Sequence, residues 1–274
     1  HSKKDIENLV PGDPKASVAK FVQLCKDRVK KYSDIQTEQS KRLGYFADWE
    51  HSYFTMSDEN NYMIWRFLKK CFDYGWIYKG HESVPWCPRC ETAISQHEML
   101  TEDYKELVHQ SVYFELPIIG RKNENLLVWT TTPWTIPANI AVAVEATFDY
   151  SLVQGSTNQK FWVAKELVEQ VFKVDKVNKV YKVLKTVKGS ELVGLKYHGP
   201  FDNLSKVKEV ADANPDKFHI VFTTDKMILP ITTTEGTGMV HTAVSAGVED
   251  FKMGKKLGLP MIPVIEDNAD YMSD

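Results

Sequence analysis

The run Leu126-Leu127-Val128-Trp129-Thr130-Thr131-Thr132-Pro133-Trp134-Thr135-Ile136-Pro137-Ala138-Asn139 decides the fold class of this chain. It opens as an apolar strand, then sets four hydroxyls, on Thr130, Thr131, Thr132 and Thr135, among two indoles. Pro133 and Pro137 cannot donate to a ladder, so the hydroxyls stand on irregular backbone, where ligands usually bind. Thr is also a good strand former, and the plain alternative is a solvated sheet edge. Outward from this run, residues 111–116, 150–153, 182–187 and 218–222 are further short stretches rich in β-formers. Residues 166–173 and 249–257 read as short helices, the second stopped by Gly258. The strands lie too close together for regular βαβ crossovers. Residues 101–274 are therefore expected to form a mixed, mostly β, barrel-like domain with peripheral helices, in an α+β chain.

A second unusual stretch runs Thr232-Thr233-Thr234-Glu235-Gly236-Thr237-Gly238-Met239-Val240-His241 and on through Gly247 to Asp250. Gly236 and Gly238 permit close approach of another backbone, a short strand carries His241 to its end, and Gly247 opens the helix that holds Asp250. Taken singly, His241 reads as a satisfied core or surface histidine and Asp250 as helix-terminal electrostatics. Taken together, one short loop apart, they can hold an ammonium group and a carbonyl at one mouth. A Gly-x-Gly lacking the third glycine and a long following helix is no dinucleotide loop.

Residues 1–100 have a different texture. Val18, Phe21, Val22, Cys25 and Val29 fall on one helical stripe, as do Ile64, Phe67, Leu68, Cys71 and Phe72 after the acidic pair Asp58-Glu59. Both thiols are expected to be buried packing residues. The aromatic connection 43–50 is expected to pack on something, and residues 75–78 read as a strand. In Pro85-Trp86-Cys87-Pro88-Arg89-Cys90, two thiols three positions apart form half of a zinc-ribbon knuckle. His81 and His97 do not stand at a spacing that completes it. A redox pair and a knuckle without metal are the alternatives; the preferred reading is a half-site whose partner pair lies elsewhere. This helical segment is expected to end near residue 100.

Composition bounds the rest. With 274 residues, 43% hydrophobic and 26% charged, the chain can bury a core and is neither disordered nor fibrous. A formal charge of −3 argues against a uniformly basic nucleic-acid coat. No run of ~18 apolar residues suggests a membrane span. The terminus His1-Ser2-Lys3 has no signal-peptide pattern and reads as a cut edge. Four Cys do not suggest a disulfide framework, and a reducing, cytoplasmic compartment is expected.

In order along the chain, these landmarks resemble isoleucyl-tRNA synthetase. They are Trp49-Glu50 with the helix after it, Pro85 to Ser95 around the cysteines, the run 129–139, and Gly236-Thr237-Gly238 through His241 to Asp250. The sister enzymes for valine and leucine typically read Thr-Thr-Arg-Pro, then an acid and Thr, where this chain has Thr131-Thr132-Pro133-Trp134-Thr135. The His-Ile-Gly-His and Lys-Met-Ser-Lys-Ser type signatures of the synthetic site do not occur. ATP, Mg2+, free isoleucine and free valine are therefore expected only in a full-length enzyme.

The resemblance implies a central piece of the synthetase: part of the connecting insertion, then most of the editing domain. That domain would hydrolyse valine wrongly esterified to tRNA(Ile), without a cofactor. By resemblance, Asp250 binds the α-ammonium and His241 lines the aminoacyl pocket and rejects the larger side chain. Thr130, Thr131 and Thr132 hydrogen-bond the terminal adenosine, the ester or the water, and Trp129, Trp134, Asn139, Thr237 and Gly247 form the substrate site. The resemblance further implies Zn2+ at Cys87 and Cys90 in a full-length enzyme, the second cysteine pair lying beyond Asp274, and a monomer whose partner is the tRNA 3′ end. Relatives often have Pro, and His or Tyr, where this chain has Val244 and Ala246, so a looser loop is expected. An editing domain of a valyl- or leucyl-tRNA synthetase and a non-catalytic tRNA-binding module are the alternative readings.

Overall fold

The computed structural model describes residues 3–100, 106–108, 110–156, 158–172 and 181–273. The expected boundary at residue 101 and the expected helix end at Lys173 lie outside the described residues. The chain divides into two compact units, His1–Glu82 with Cys87–Thr92, and Ser83–Trp86 with Ala93–Asp274.

The first unit is helical: α1 (Lys3–Glu7), α2 (Pro14–Arg42) and α3 (Asp58–Asp73). Local chemistry accounts for the starts. Asp13 accepts the Ala16 N–H ahead of Pro14, and Ser57 accepts the Asn60 N–H ahead of the acidic first turn of α3. The packing differs from the sequence-based expectation. Cys25 is exposed and Cys71 only partly buried, and Val18, Val22 and Val29 are about half exposed. No described element of this unit covers that stripe, so periodicity alone did not bury it. Tyr45 and Phe46 in the aromatic connection are likewise exposed. Residues 75–78 are not a strand: the N–H groups of Gly75 and Trp76 donate to Phe72 and Cys71 carbonyls, closing the end of α3. A short ribbon, β1 (Trp86–Cys87) with β2 (Thr92–Ala93), carries the cysteine knuckle and is followed by α4 (Gln96–Leu100).

The second unit continues with β3 (Val112–Pro117), β4 (Glu124–Thr130), a 3-10 helix (Pro133–Ala138), β5 (Ala141–Val144), β6 (Asp149–Gln154), β7 (Lys160–Ala164) and α5 (Val168–Val171). After these come β8 (Lys182–Lys188), α6 (Ser205–Ala213), β9 (Ile220–Thr223), β10 (Met239–Thr242) and α7 (Val248–Leu257). The sheet runs β8-β6-β7-β4-β10-β5-β9, with β3 also on β4. One edge of β4 pairs with β3 along its length, from Val112 opposite Thr130 to Pro117 opposite Asn125. The other edge forks: its start pairs in parallel with β7, and Trp129 pairs in parallel with Val240 of β10.

Residues 195–197 then close the circuit. Bridges join Tyr197 to Ile118, just past β3, and Lys196 to Ile220 of β9. The result is a barrel of mixed strands, with β7, β6 and β8 extending from the fork, as the sequence led one to expect. Strands β5 and β7 and helix α6 were not foreseen. In β5, Val142 and Val144 enter one apolar cluster while Ala141 and Ala143 enter the other. A strand buried on both faces has no polar alternation to betray it. Among the described residues no helix is long and apolar enough to cross a membrane.

Candidate active site

The end of β4, the 3-10 helix, β10 and the start of α7 surround a cavity of about 300 Å3. Thr130, Thr131, Thr132 and Thr135 line one side; Thr237, His241, Gly247 and Asp250 line another, with Trp129, Ile231 and Met239 as apolar wall. Two stretches about a hundred residues apart thus meet in one space, as the sequence motifs require. The parallel pairing of Trp129 with Val240 sets them side by side. Two glycines make the close approach possible. Gly236 and Gly238 have φ of +74° and +72°, a Cβ on Gly236 would come 2.8 Å from the Trp129 ring, and one on Gly238 would come 2.3 Å from Ala164 Cβ.

Asp250 sits in the first turn of α7, and its Oδ2 accepts the Ala243 N–H at 2.9 Å. Oδ1 makes no hydrogen bond or ion pair among the described residues. Burial pushes this carboxyl up to about 6 despite the Ala243 N–H, which favours the ionised form. It remains charged at neutral pH and faces the cavity, an arrangement suited to a cation.

His241 is 6% exposed and lies edge-on to Phe114, ring centroids 5.9 Å apart. Its Nε2 is 2.7 Å from Thr135 Oγ1 and its Nδ1 is 2.9 Å from Asn139 Nδ2. Desolvation lowers its pKa to about 4, so the ring is neutral at pH 7. Thr130 Oγ1 accepts the Thr132 N–H at 3.1 Å, and the two hydroxyls lie 3.3 Å apart, a small turn that points hydroxyl oxygens at the cavity.

Two expected site residues stand apart from the lining. Trp134 is 43% exposed, its carbonyl accepting from the Tyr271 hydroxyl, because the 3-10 turn started by Pro133 carries the indole outward. Asn139 is buried behind His241 rather than facing the space. Thr135, Ile231, Thr232, Glu235 and Ala246 line the cavity without having been chosen as site residues. Their signal was adjacency, since Thr135, Thr232, Glu235 and Ala246 lie inside the two quoted stretches and Ile231 immediately precedes the second. Val244 is buried in the apolar cluster under α7, where Gly254 leaves it room, and Ala246 lines the cavity.

In the first unit Cys87 and Cys90 hydrogen-bond each other. The Cys90 backbone N–H lowers the Cys87 thiol's pKa, and the Cys87 sulfur raises that of Cys90. Two thiols supply half of a tetrahedral zinc set. No cluster of three or more His, Cys, Asp or Glu groups able to hold a metal exists among the described residues, so these residues by themselves do not fit the ion.

Residues 9–193 match the family model for tRNA synthetases class I (I, L, M and V). Isoleucine--tRNA ligase of Pyrococcus furiosus is 38% identical over 275 residues, 99% of this chain and 24% of that protein. Those of Saccharolobus solfataricus and Methanocaldococcus jannaschii are 36% and 37% identical, covering 95% and 99% of this chain and 25% and 26% of those proteins. The chain thus spans about a quarter of the length of the curated relatives it matches. Among solved structures, GlLeuRS-CP1 aligns at a TM-score of 0.42 and 14% identity over 54% of this chain and 60% of that one. The editing domain of the P. knowlesi cytosolic leucyl-tRNA synthetase aligns at 0.39 and 14% over 55% and 63%. On the family match, which takes in the Thr-rich run and the cysteine knuckle, the chain belongs to the class I tRNA synthetases of the isoleucine, leucine, methionine and valine group.

Proposed function

We propose that this chain carries the proofreading hydrolase of an isoleucyl-type synthetase, which cleaves valine from tRNA(Ile) after transfer. The observation that carries the reading is the shared cavity, in which clustered hydroxyls and the Asp250 carboxylate face one small space. The need for such a site is physical. A pocket built for isoleucine gains only ~1–3 kcal/mol over valine from one methylene, too little for accurate translation, so a second, smaller pocket must remove the error. ATP and free isoleucine belong to the synthetic signatures, which this sequence lacks.

Asp250 takes the α-ammonium and anchors the aminoacyl group. The hydroxyls of Thr130, Thr131 and Thr132 hold the ester, the terminal nucleoside and the attacking water in line. His241 serves as wall rather than base, for burial lowers its pKa to about 4, so the ring takes up a proton poorly, and both nitrogens are engaged by Thr135 and Asn139. Attack on the ester therefore relies on positioned water and the terminal ribose of the tRNA.

Deacylation assays with valyl-tRNA(Ile) and threonyl-tRNA(Val) test this reading. Faster release of valine is expected; preferential release of threonine would assign the site to a valyl relative, and binding without hydrolysis would make the chain a tRNA-binding module. Size exclusion gives a second expectation. His241→Ala enlarges the cavity, and the isoleucyl ester, spared by the unaltered chain, should be hydrolysed at least about tenfold faster, within the range that one methylene can control. Unchanged protection of the isoleucyl ester would remove His241 from the sieve.

A further inference from the structure

We propose that Tyr197, which does not line the cavity, is a positioning residue of the site: its buried hydroxyl orients Asn139, which holds His241 as the Nε2–H tautomer and so locks the Thr132–Thr135 turn. As a role in hydrolysis this rests on the proofreading function proposed above; as a statement about the ring tautomer it stands by itself.

The direction of every hydrogen bond follows from one group that can only accept. The Ala141 carbonyl lies 3.2 Å from Asn139 Nδ2, so the amide nitrogen faces it and His241, and Oδ1 faces Tyr197. An amide oxygen only accepts, so the Tyr197 hydroxyl donates to it, at 2.6 Å. The amide N–H then donates to His241 Nδ1, which must carry a lone pair, and the ring proton sits on Nε2. Nε2–H donates to Thr135 Oγ1 at 2.7 Å, which turns the Thr135 hydroxyl proton toward the Thr132 carbonyl at 2.8 Å. Thr132 is the residue whose N–H holds Thr130 Oγ1. An ordered chain of donors thus runs from Tyr197 to the two hydroxyls at the cavity wall.

Tyr197 is 1% exposed, and its ring stacks on His219 with centroids 4.7 Å apart. It lies on the segment that closes the barrel between Ile118 and β9. Barrel closure and ordering of the site therefore depend on the same residue.

The test uses the whole chain with 15N-labelled histidine. Long-range proton–nitrogen spectra of the unaltered protein are expected to show His241 with a proton on Nε2 and an accepting Nδ1. Tyr197→Phe keeps the ring and removes the 2.6 Å bond to Oδ1, so only the Ala141 carbonyl, at 3.2 Å, still opposes a flip of the Asn139 amide. His241 should become a mixture of tautomers, and kcat for the valyl ester should fall about tenfold with KM changed less than about twofold, the signature of lost order rather than lost binding. A pure Nε2–H ring in the variant, or a mixed ring with unchanged kcat, would overturn the proposal. Asn139→Asp decides the matter if Tyr197→Phe does not fold. An acceptor-only carboxylate at Nδ1 should draw the ring proton to Nδ1, and a proton that stays on Nε2 would refute the relay. Absence of ester hydrolysis by the unaltered chain would refute the proofreading reading, with the tautomer of the two variants still deciding the role of Tyr197.

Discussion

Asp250→Asn is expected to slow hydrolysis of the valyl ester by about a hundredfold or more while making the folded chain more stable. The activity loss follows from geometry. Oδ2 is held by the Ala243 N–H, so an amide in its place keeps its oxygen there and presents its NH2 group to the substrate ammonium. Removing one partner of a buried charged pair costs about 2–5 kcal/mol, which is ~30-fold to several thousandfold in rate. The stability gain follows from the pKa. A carboxyl raised from 3.8 to about 6 is less willing to be charged in the folded chain than in the unfolded one. The cost of that charge is fully present above about 6 and is relieved as pH falls from 6 toward 3.8. Near pH 7.5 the amide avoids it, a gain on the order of 1–2 kcal/mol once water in the open cavity is allowed for. Single-turnover deacylation and urea denaturation at pH 7.5 measure the two effects. Loss of activity together with loss of stability would mean that Asp250 is a structural cap and not a substrate anchor. In the unaltered chain, kcat/KM should drop on the acid side with a midpoint near 6, where Asp250 takes up its proton.

Gly238→Ala should be strongly destabilising. With φ at +72° the residue sits where an L side chain costs about 1–2 kcal/mol, and its Cβ would come 2.3 Å from Ala164 Cβ on β7. Overpacking adds ~1–3 kcal/mol, for a total of about 2–5 kcal/mol. There is little room to shift, because Tyr150 donates to the Gly238 carbonyl at 2.6 Å and the Ala164 N–H donates to the Thr237 carbonyl at 2.9 Å. The urea midpoint should fall and valyl-ester hydrolysis with it, since Thr237 lines the cavity on this turn. A change below about 1 kcal/mol would mean that the turn relaxes and that no glycine is needed there.

Much of the local structure was legible. Apolar runs ended by proline, such as 126–133, and strand formers near 111–116 marked β4 and β3, and Asp58-Glu59 and Gly258 marked the start of α3 and the stop of α7. Each of these signals is local, a matter of which backbone angles and hydrogen bonds a residue permits. What failed was burial. The helical stripe through Cys25 is regular, yet a stripe is buried only where something packs on it, and periodicity says nothing about the partner. The strand β5 was hidden for the opposite reason, having partners on both faces. Asn139 entered the expected substrate site through the family resemblance, not through any local signal of its own. Its partners, His241 and Tyr197, are 102 and 58 residues away and left no trace near it.

From the order of amino acids alone came the inventory of groups and the places where the chain must turn: hydroxyls penned by Pro133 and Pro137, glycines at 236 and 238, an acid one turn into a helix. Tertiary structure decided which of these meet. Parallel pairing of Trp129 with Val240, and closure of the barrel through Tyr197, set Thr130, His241 and Asp250 around one cavity and turned Trp134 away. Turns and caps obey short-range sterics that each residue carries with it, whereas strand partners are chosen by burial summed over the whole sheet, and that sum exists only once the chain has closed.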